Sequence, residues 1–298
     1  MECYDYIIAD LCLRSNVDLA ALGLRGFRPF QSNGSVQIAD CRFAILDEVG
    51  CNNNHITNEI YSSYMSETNT RGLLYKTRSG YLYSISKQEP NAESLIFNIE
   101  ENGWLITSNY DAAKFDLAML RFGLWISFGL LLVNRNAVAV HSSVVAHNGR
   151  GVLFLGESGT GKSTHTRLWC ENITNTHLLN DDSPIVRLVD DELRVYGSPW
   201  SGKTPCYKNE SYPIAAFCRL SQAPENRIRR LSTIATIGAL LPSTPPQFAG
   251  DVGLQDLVLA MLSGIIERVP AYHLECLPNS DAAELSHKTI FGYETSVG

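Results

Sequence analysis

The run Gly156-Glu157-Ser158-Gly159-Thr160-Gly161-Lys162-Ser163-Thr164 matches G-x-x-x-x-G-K-[ST] and follows the apolar stretch Val152-Leu153-Phe154-Leu155. Little else in a chain restricts the fold so strongly, because the pattern works only as a buried strand, a tight loop and the start of a helix, in that order. Glycine is needed where main-chain N–H groups must curl around an anion, since side chains there would obstruct the nest. Lys162 is placed to reach the β/γ-phosphates of a nucleotide. The Ser163 hydroxyl suits a phosphate-bound Mg²⁺, and a helix starting near Lys162 points its positive dipole end at the anion. Thr164, Leu168, Trp169 and Cys170 give that helix a partly apolar stripe, and Asn172 to Thr176 supply its stop.

At 298 residues the chain holds one large domain or two modest ones. Its net charge of -7 and lack of a long Lys/Arg run argue against a general nucleic-acid binder. The one basic cluster, Arg227, Arg229 and Arg230, reads as a solvated helix start. Eight cysteines without a C-x-x-C pair or zinc-type spacing read as reduced thiols. Met1 to Tyr6 lack a basic n-region, and the apolar run Phe122 to Val133 falls short of the ~18–20 residues a bilayer requires. A cytoplasmic protein without membrane or nucleic-acid partners is expected, with a homo-oligomeric state left open.

The expected fold class is α+β or α/β on a mixed sheet, with a small N-terminal mainly-β module over residues 1–110, a connecting helix over 111–134 and the nucleotide-binding domain over 135–298. Strands are expected at Tyr6–Ile8, Val36–Ile38, Arg42–Leu46, Tyr81–Ser86 and Ser94–Ile99, separated by turns at Ser32-Asn33-Gly34, Gly50 to Asn54 and Glu101-Asn102-Gly103. His55, beside the asparagine-rich turn, reads as a loop residue. Asn109 or Asp111 is the candidate N-cap of the helix. A strand from Ala137 to Val145, containing His141, should turn at His147 to Gly151 into the phosphate-loop strand, a hairpin unlike the opening of a doubly wound sheet.

Beyond the loop, His177 to Leu179 lead into Asn180-Asp181-Asp182. The interval from Lys162 fits one short helix, a turn and a return strand, which would bring the aspartates beside the loop if the two strands are neighbours about 5 Å apart. Adjacent strand residues face opposite ways, so both carboxylates can serve one site only where the strand breaks, and Ser183-Pro184 supplies a break. One carboxylate could hold Mg²⁺ and the other accept a proton from an attacking hydroxyl. Asp190 and Asp191 sit in a second hairpin tip, where solvation is the expected role. Helices at 231–241, 254–267 and 280–290 and a strand at 272–277 complete the reading.

His141-Ser142-Ser143-Val144-Val145, the Gly156 to Thr164 loop and Leu179-Asn180-Asp181-Asp182 together resemble the catalytic domain of HPr kinase/phosphorylase and, more distantly, ATP-dependent phosphoenolpyruvate carboxykinase. The resemblance covers about residues 135–205; Thr164 stands where that family carries Glu. It implies an ATP- and Mg²⁺-dependent kinase of the P-loop type, with Asp181 as catalytic acid/base, Asp182 as metal ligand and His141 lining the transfer site. Gly156, Glu157, Ser158, Gly159, Thr160, Gly161, Lys162, Ser163 and Thr164 would hold the nucleotide. The segment Pro199-Trp200-Ser201-Gly202-Lys203-Thr204-Pro205 resembles a loop of stand-alone relatives, including kinases that modify lasso-peptide precursors. It is either a structural turn with a half-buried Trp200 or a carrier of Lys203 and hydroxyls to phosphate with Trp200 on a base or substrate. The expected acceptor is a serine hydroxyl of a protein or peptide. A metabolite kinase, a carboxykinase and an ATP-binding scaffold without turnover are the alternatives. No Leu-Ser-Gly-Gly-Gln run of an ABC-type ATPase occurs.

Overall fold

A computed structural model of the chain describes residues 3–32, 34, 36–46, 56–66, 68–202 and 204–292. Asn33, the Gly50 to Asn54 turn, His55 and Lys203 lie outside the described residues. The architecture is mixed α/β with mixed sheets. Its contacts divide it into two units, residues 1–135 with 246–257 and residues 136–245 with 258–298.

In the first unit the strands are β1 (Tyr4–Ile8), β2 (Leu11–Ser15), β3 (Cys41–Ile45), β4 (Ile56–Met65), β5 (Thr70–Thr77), β6 (Gly80–Lys87), β7 (Ser94–Glu100) and β8 (Leu105–Ser108). They form one sheet in the order β1-β2-β3-β8-β7-β6-β5-β4. Only β2–β3 and β3–β8 pair parallel. The 36–38 segment is not a strand, and Ile38 is exposed. β4 and β5 have no counterpart among the expected strands. β4 is largely polar and sits at the sheet edge with half of its side chains exposed, so it lacks a clear apolar alternation.

Helix α1 (Leu117–Val133) begins later than expected, after Asp116. Asn109 instead clasps β7, accepting from Ile96 N at 2.8 Å and donating to Ser94 O at 3.1 Å. Most of α1 is buried, which explains an apolar run too short to cross a bilayer. No helix among the described residues is long and apolar enough to cross a membrane. A glycine lets α1 approach β7, since a Cβ on Gly123 would overlap the ring of buried Phe97.

The second unit continues with β9 (Ala137–Ala139), β10 (Ser142–His147), β11 (Arg150–Leu155), α2 (Lys162–Asn172), β12 (Thr176–Asp182), β13 (Ile185–Val189), β14 (Glu192–Tyr196), β15 (Ser211–Gln222) and β16 (Arg227–Arg230). Then follow α3 (Thr233–Leu240), α4 (Val252–Arg268), β17 (Ala271–Cys276) and α5 (Ser280–Phe291). The division between units falls inside α4.

The expected strand 137–145 is two strands. β9 pairs with β13 while β10 pairs with β11 and β12, so the chain changes partners at Val140-His141. Pro184 O accepts from Val140 N, and Ser243 O from His141 N, which satisfies the backbone across that break. β10 and β11 form the expected hairpin, with Asn148 and Gly149 both at positive φ in a two-residue turn.

Two readings fail here. β12 is not the neighbour of β11, the strand before the glycine-rich loop, because the tight hairpin puts β10 at β11's side and β12 joins the far edge of β10. The Arg227 cluster is not a helix start but β16, paired antiparallel with β17, with its arginines exposed. Charged side chains suit such a strand at a sheet margin. On the other side of β11 lies β15, parallel to both β11 and β17.

The α1–β7 contact leads to a paired expectation. Gly123→Ala should lower stability by about 1–3 kcal/mol through overpacking against Phe97. Gly264→Ala, whose Cβ would meet only the Arg268 guanidinium at 3.9 Å, should be neutral or stabilising. Urea unfolding midpoints of the two variants provide the check.

Candidate phosphoryl-transfer site

Three local devices shape the loop between β11 and α2. Gly156, Gly159 and Gly161 have φ of 148°, 84° and 101°. At Gly156 a Cβ would also lie 2.6 Å from Thr160 Oγ1, so glycine is required twice over. Thr160 Oγ1 donates to Glu157 O at 2.8 Å and closes the loop on itself. Glu157 and Ser158 form its exposed crest.

Lys162 commits all three ammonium protons locally, to Gly156 O at 2.7 Å, Glu157 O at 3.2 Å and His141 Nε2 at 3.1 Å. The last contact makes Nε2 the acceptor, which places the imidazole proton on Nδ1. There it meets Asp182 Oδ1 at 3.1 Å. Burial holds the Lys162 pKa below its usual value, against the opposing pull of Asp182 and Asp181.

The aspartates arrive by a register device. Between Val144 and Val145 the β10–β12 pairing slips, so Leu179 is an extra residue. Past this bulge, Asp181 stands opposite Ser143 and Asp182 opposite Ser142. Facing pairs share a side of the sheet, and Ser143 Oγ lies 3.0 Å from Thr166 Oγ1 of α2. Asp181 is therefore on the α2 side, where its Oδ1 accepts from Ser163 Oγ at 3.0 Å. Strict alternation would send Asp182 the other way. Its φ of 131°, a costly value for a residue with a Cβ, marks the break that turns its carboxylate to His141.

Asp181 is 6% exposed, whereas the Asp182 side chain is 41% exposed. The pair thus splits into a buried carboxylate on the loop serine and an open one on the histidine. Oxygen donors on Ser163 and Asp181 fit a hard cation such as Mg²⁺, which takes one or two carboxylates and completes its shell from phosphate and water. Among the described residues no group of three or more His, Cys, Asp or Glu is arranged as a metal cage.

Asn180 is a site residue that the sequence reading missed. It is wholly buried on the face opposite Asp181. Its amide donates to Trp200 O at 3.1 Å and its Oδ1 accepts from Ser183 N at 3.0 Å. Ser198 Oγ adds a 2.6 Å bond to Ser183 O, and Ser201 Oγ reaches Asp181 O at 3.1 Å. Gly202 N donates to Asp181 O at 2.6 Å, and a Cβ on Gly202 would stand 3.1 Å from Asp182 Cβ. Trp200, Ser201 and Gly202 are therefore clamped on the aspartate pair. Trp200 is only 4% exposed, which removes it as a stacking platform for a base or substrate. The signal for Asn180 lay in its position, since a polar side chain inside a buried strand must find partners.

The second hairpin tip is separate from this constellation. Asp190 and Asp191 occupy its turn at positive φ, and Asp191 pairs with Arg268. Thr164 lines a cleft on the other side of the loop.

No protein-family model matches the chain, and no curated protein matches it. Among solved structures, the Hpr(Ser) kinase/phosphatase from Coxiella burnetii is similar over 52% of this chain and 95% of that chain, at 12% identity and a TM-score of 0.32.

Two expectations come from this geometry. Asn180→Ala should lower stability by about 1–3 kcal/mol by leaving buried groups unpaired, and hydrogen exchange at the Gly202 and Cys206 amides should accelerate. His165, 3% exposed on α2, accepts from Trp169 Nε1 at 3.2 Å, and burial pushes its pKa down to about 4. Its unfolded counterpart takes a proton near pH 6.5, so stability is full above that pH and falls as pH drops towards 4. The loss should reach about 2–3 kcal/mol by pH 4.5. Denaturant titrations at pH 7.5 and 4.5 should show a smaller loss in His165→Gln.

Proposed function

We propose that the chain is an ATP- and Mg²⁺-dependent phosphotransferase that moves the γ-phosphoryl group to a hydroxyl, with a serine of a protein or peptide as acceptor. The observation that carries this reading is the convergence of side chains from separate elements beside the phosphate loop. Lys162, His141 and Asp182 form a continuous hydrogen-bonded line, and Ser163 and Asp181 form a second pair next to it. A phosphoryl-transfer site needs such a division, with cationic and metal-holding groups around the phosphates and a proton acceptor near the attacking oxygen.

Under this reading the loop amides and the α2 N-terminus bind the triphosphate, and Lys162 shifts from loop carbonyls to phosphate oxygens. Ser163 and Asp181 would hold Mg²⁺, which when bound would supply positive charge against the phosphates. Asp182, open to solvent and steadied by His141, takes the acceptor's proton as its oxygen bonds to the γ-phosphorus. The bond to the β–γ bridging oxygen breaks and ADP departs. The family resemblance assigns proton transfer to Asp181 and the metal to Asp182. Hydrogen bonding favours the exchange of those roles, since the carboxylate on the loop serine is Asp181.

The division of roles is open to direct test with labelled ATP and serine-containing peptides or lysate from the source cell. Lys162→Ala should lose phosphoryl transfer, and retained turnover would sink the assignment of the site. Asp182→Asn should cut kcat by about 10²–10⁴-fold with an unchanged Mg²⁺ requirement, while Asp181→Asn should demand more Mg²⁺. The opposite pattern would return the roles to the family assignment. Tight ATP binding by the unaltered protein, with no label passing to any acceptor, would reject the transferase reading.

A further inference from the structure

Where β11 ends, strand register in the second unit lines up one row of residues across the sheet. The row reads Asp182, Ser142, Leu155, Arg219, His273 and Arg229, taken in turn from β12, β10, β11, β15, β17 and β16. Row neighbours share a side of the sheet. Cys218, Leu220 and Leu274 pack with Phe154 and Trp169 against α2 and α5, so Arg219 and His273 stand on the opposite face. The site aspartate is thus at one end of the row, and two arginines flank a histidine at the other.

This basic end offers donors and lacks acceptors. Arg229 Nη2 donates to His273 Nδ1 at 3.3 Å, so the ring proton sits on Nε2 and goes to Ser221 Oγ at 2.9 Å. Ser221 keeps its own hydroxyl proton to give. Burial, then the charges of Arg229 and Arg219, hold the His273 pKa below its usual value against the pull of Glu275, so both guanidinium groups reach the ring. Two residues along the strands lies the next row, Ser221, Glu275 and Arg227. There Glu275 stands 4.0 Å from Arg227, which also pairs with Glu225 at 3.3 Å. Arg219 is half-buried, and among the described residues neither it nor Arg229 meets a carboxylate.

We propose that Arg219, Arg229 and Ser221 form a docking site for acidic side chains of the acceptor peptide, which extends along the strand ends from Asp182 towards β16. The proposal rests on the transferase reading for the position of the serine. From Asp182 to Arg219 is three strand spacings, about 14 Å, and to Arg229 five, about 24 Å. A small anion is too short to serve both ends of the row. An extended chain covers those spans in about four and about seven residues. The preferred acceptor therefore carries Asp or Glu about four to seven residues from its serine, each taken up by charge-assisted bonds to a guanidinium.

Fluorescein-labelled peptides supply the test: a serine separated by three glycines from four glutamates, made in both chain directions, with a glutamine twin of each. By anisotropy the unaltered protein should bind one glutamate peptide about tenfold more tightly than its twin, an advantage that shrinks as salt is added. Arg219→Gln and Arg229→Gln together should remove the advantage. Lysine at both positions should keep most of it, which separates lost charge from lost folding, and Arg227→Gln should leave it within about twofold. With labelled ATP the same factor should appear in KM at equal kcat, and deleting the three glycines should abolish it in transfer but not in binding. Equal binding of glutamate and glutamine peptides in both directions, or a preference that survives in the glutamine double variant, overturns the docking site and leaves the transferase reading standing. Charge-dependent binding that the double variant loses, with no label reaching any peptide, keeps the acidic docking site and overturns the transferase reading and the acceptor role with it.

Discussion

Strand β10 pairs on both edges, with β11 on one and β12 on the other, and the candidate site depends on that double pairing. It sets the distance between the glycine-rich loop and a pair of carboxylates that have no reason of their own to approach each other. It also delivers His141, because the strand must abandon one set of partners before it can take up the next. The histidine stands at that change of partners, where no ladder bond competes for it and Ser243 O accepts its backbone N–H. Hydrogen bonding thus both builds the sheet and aims the side chain.

Like charges brought this close would repel unless the fold compensates them. Asp181 is buried and accepts from Ser163, while Asp182 keeps solvent access and the His141 proton. Lys162 sits within reach of both fields, and its partial burial makes its charge costlier and its pull on an anion stronger. The clamp from Asn180 and Ser198 keeps Trp200 against the aspartate backbone. That leaves Asp182 at a φ which a freer chain would relax. Strain and satisfied buried polar groups therefore occur side by side, as expected where a site has to be rigid before its ligand arrives.

Much of this was legible from residues alone. The loop, the start of α2 and the β10–β11 hairpin followed from Gly, Lys, Asn-Gly and a four-residue apolar run, all local signals. The failures have a common physical cause. β15 carries the apolar run Ile214-Ala215-Ala216-Phe217-Cys218, yet nothing local says that its first residues pair with β14 and its later ones with β11 and β17. The arginine-rich β16 and polar β4 gain their state from a partner strand, not from their own pattern. Trp200 could be read as a half-buried turn residue or as a platform for a base or substrate until its burial placed it.

The sequence by itself determined a tight strand-to-helix turn that presents Lys162 and Ser163, since the positive φ values at Gly156, Gly159 and Gly161 belong to glycine. Which carboxylate meets that turn, on which side the apolar cleft opens and where His141 points were decided only by tertiary structure. Those outcomes hang on strand order and on a one-residue slip at Leu179, and pairing register is a property of two segments that neither encodes alone.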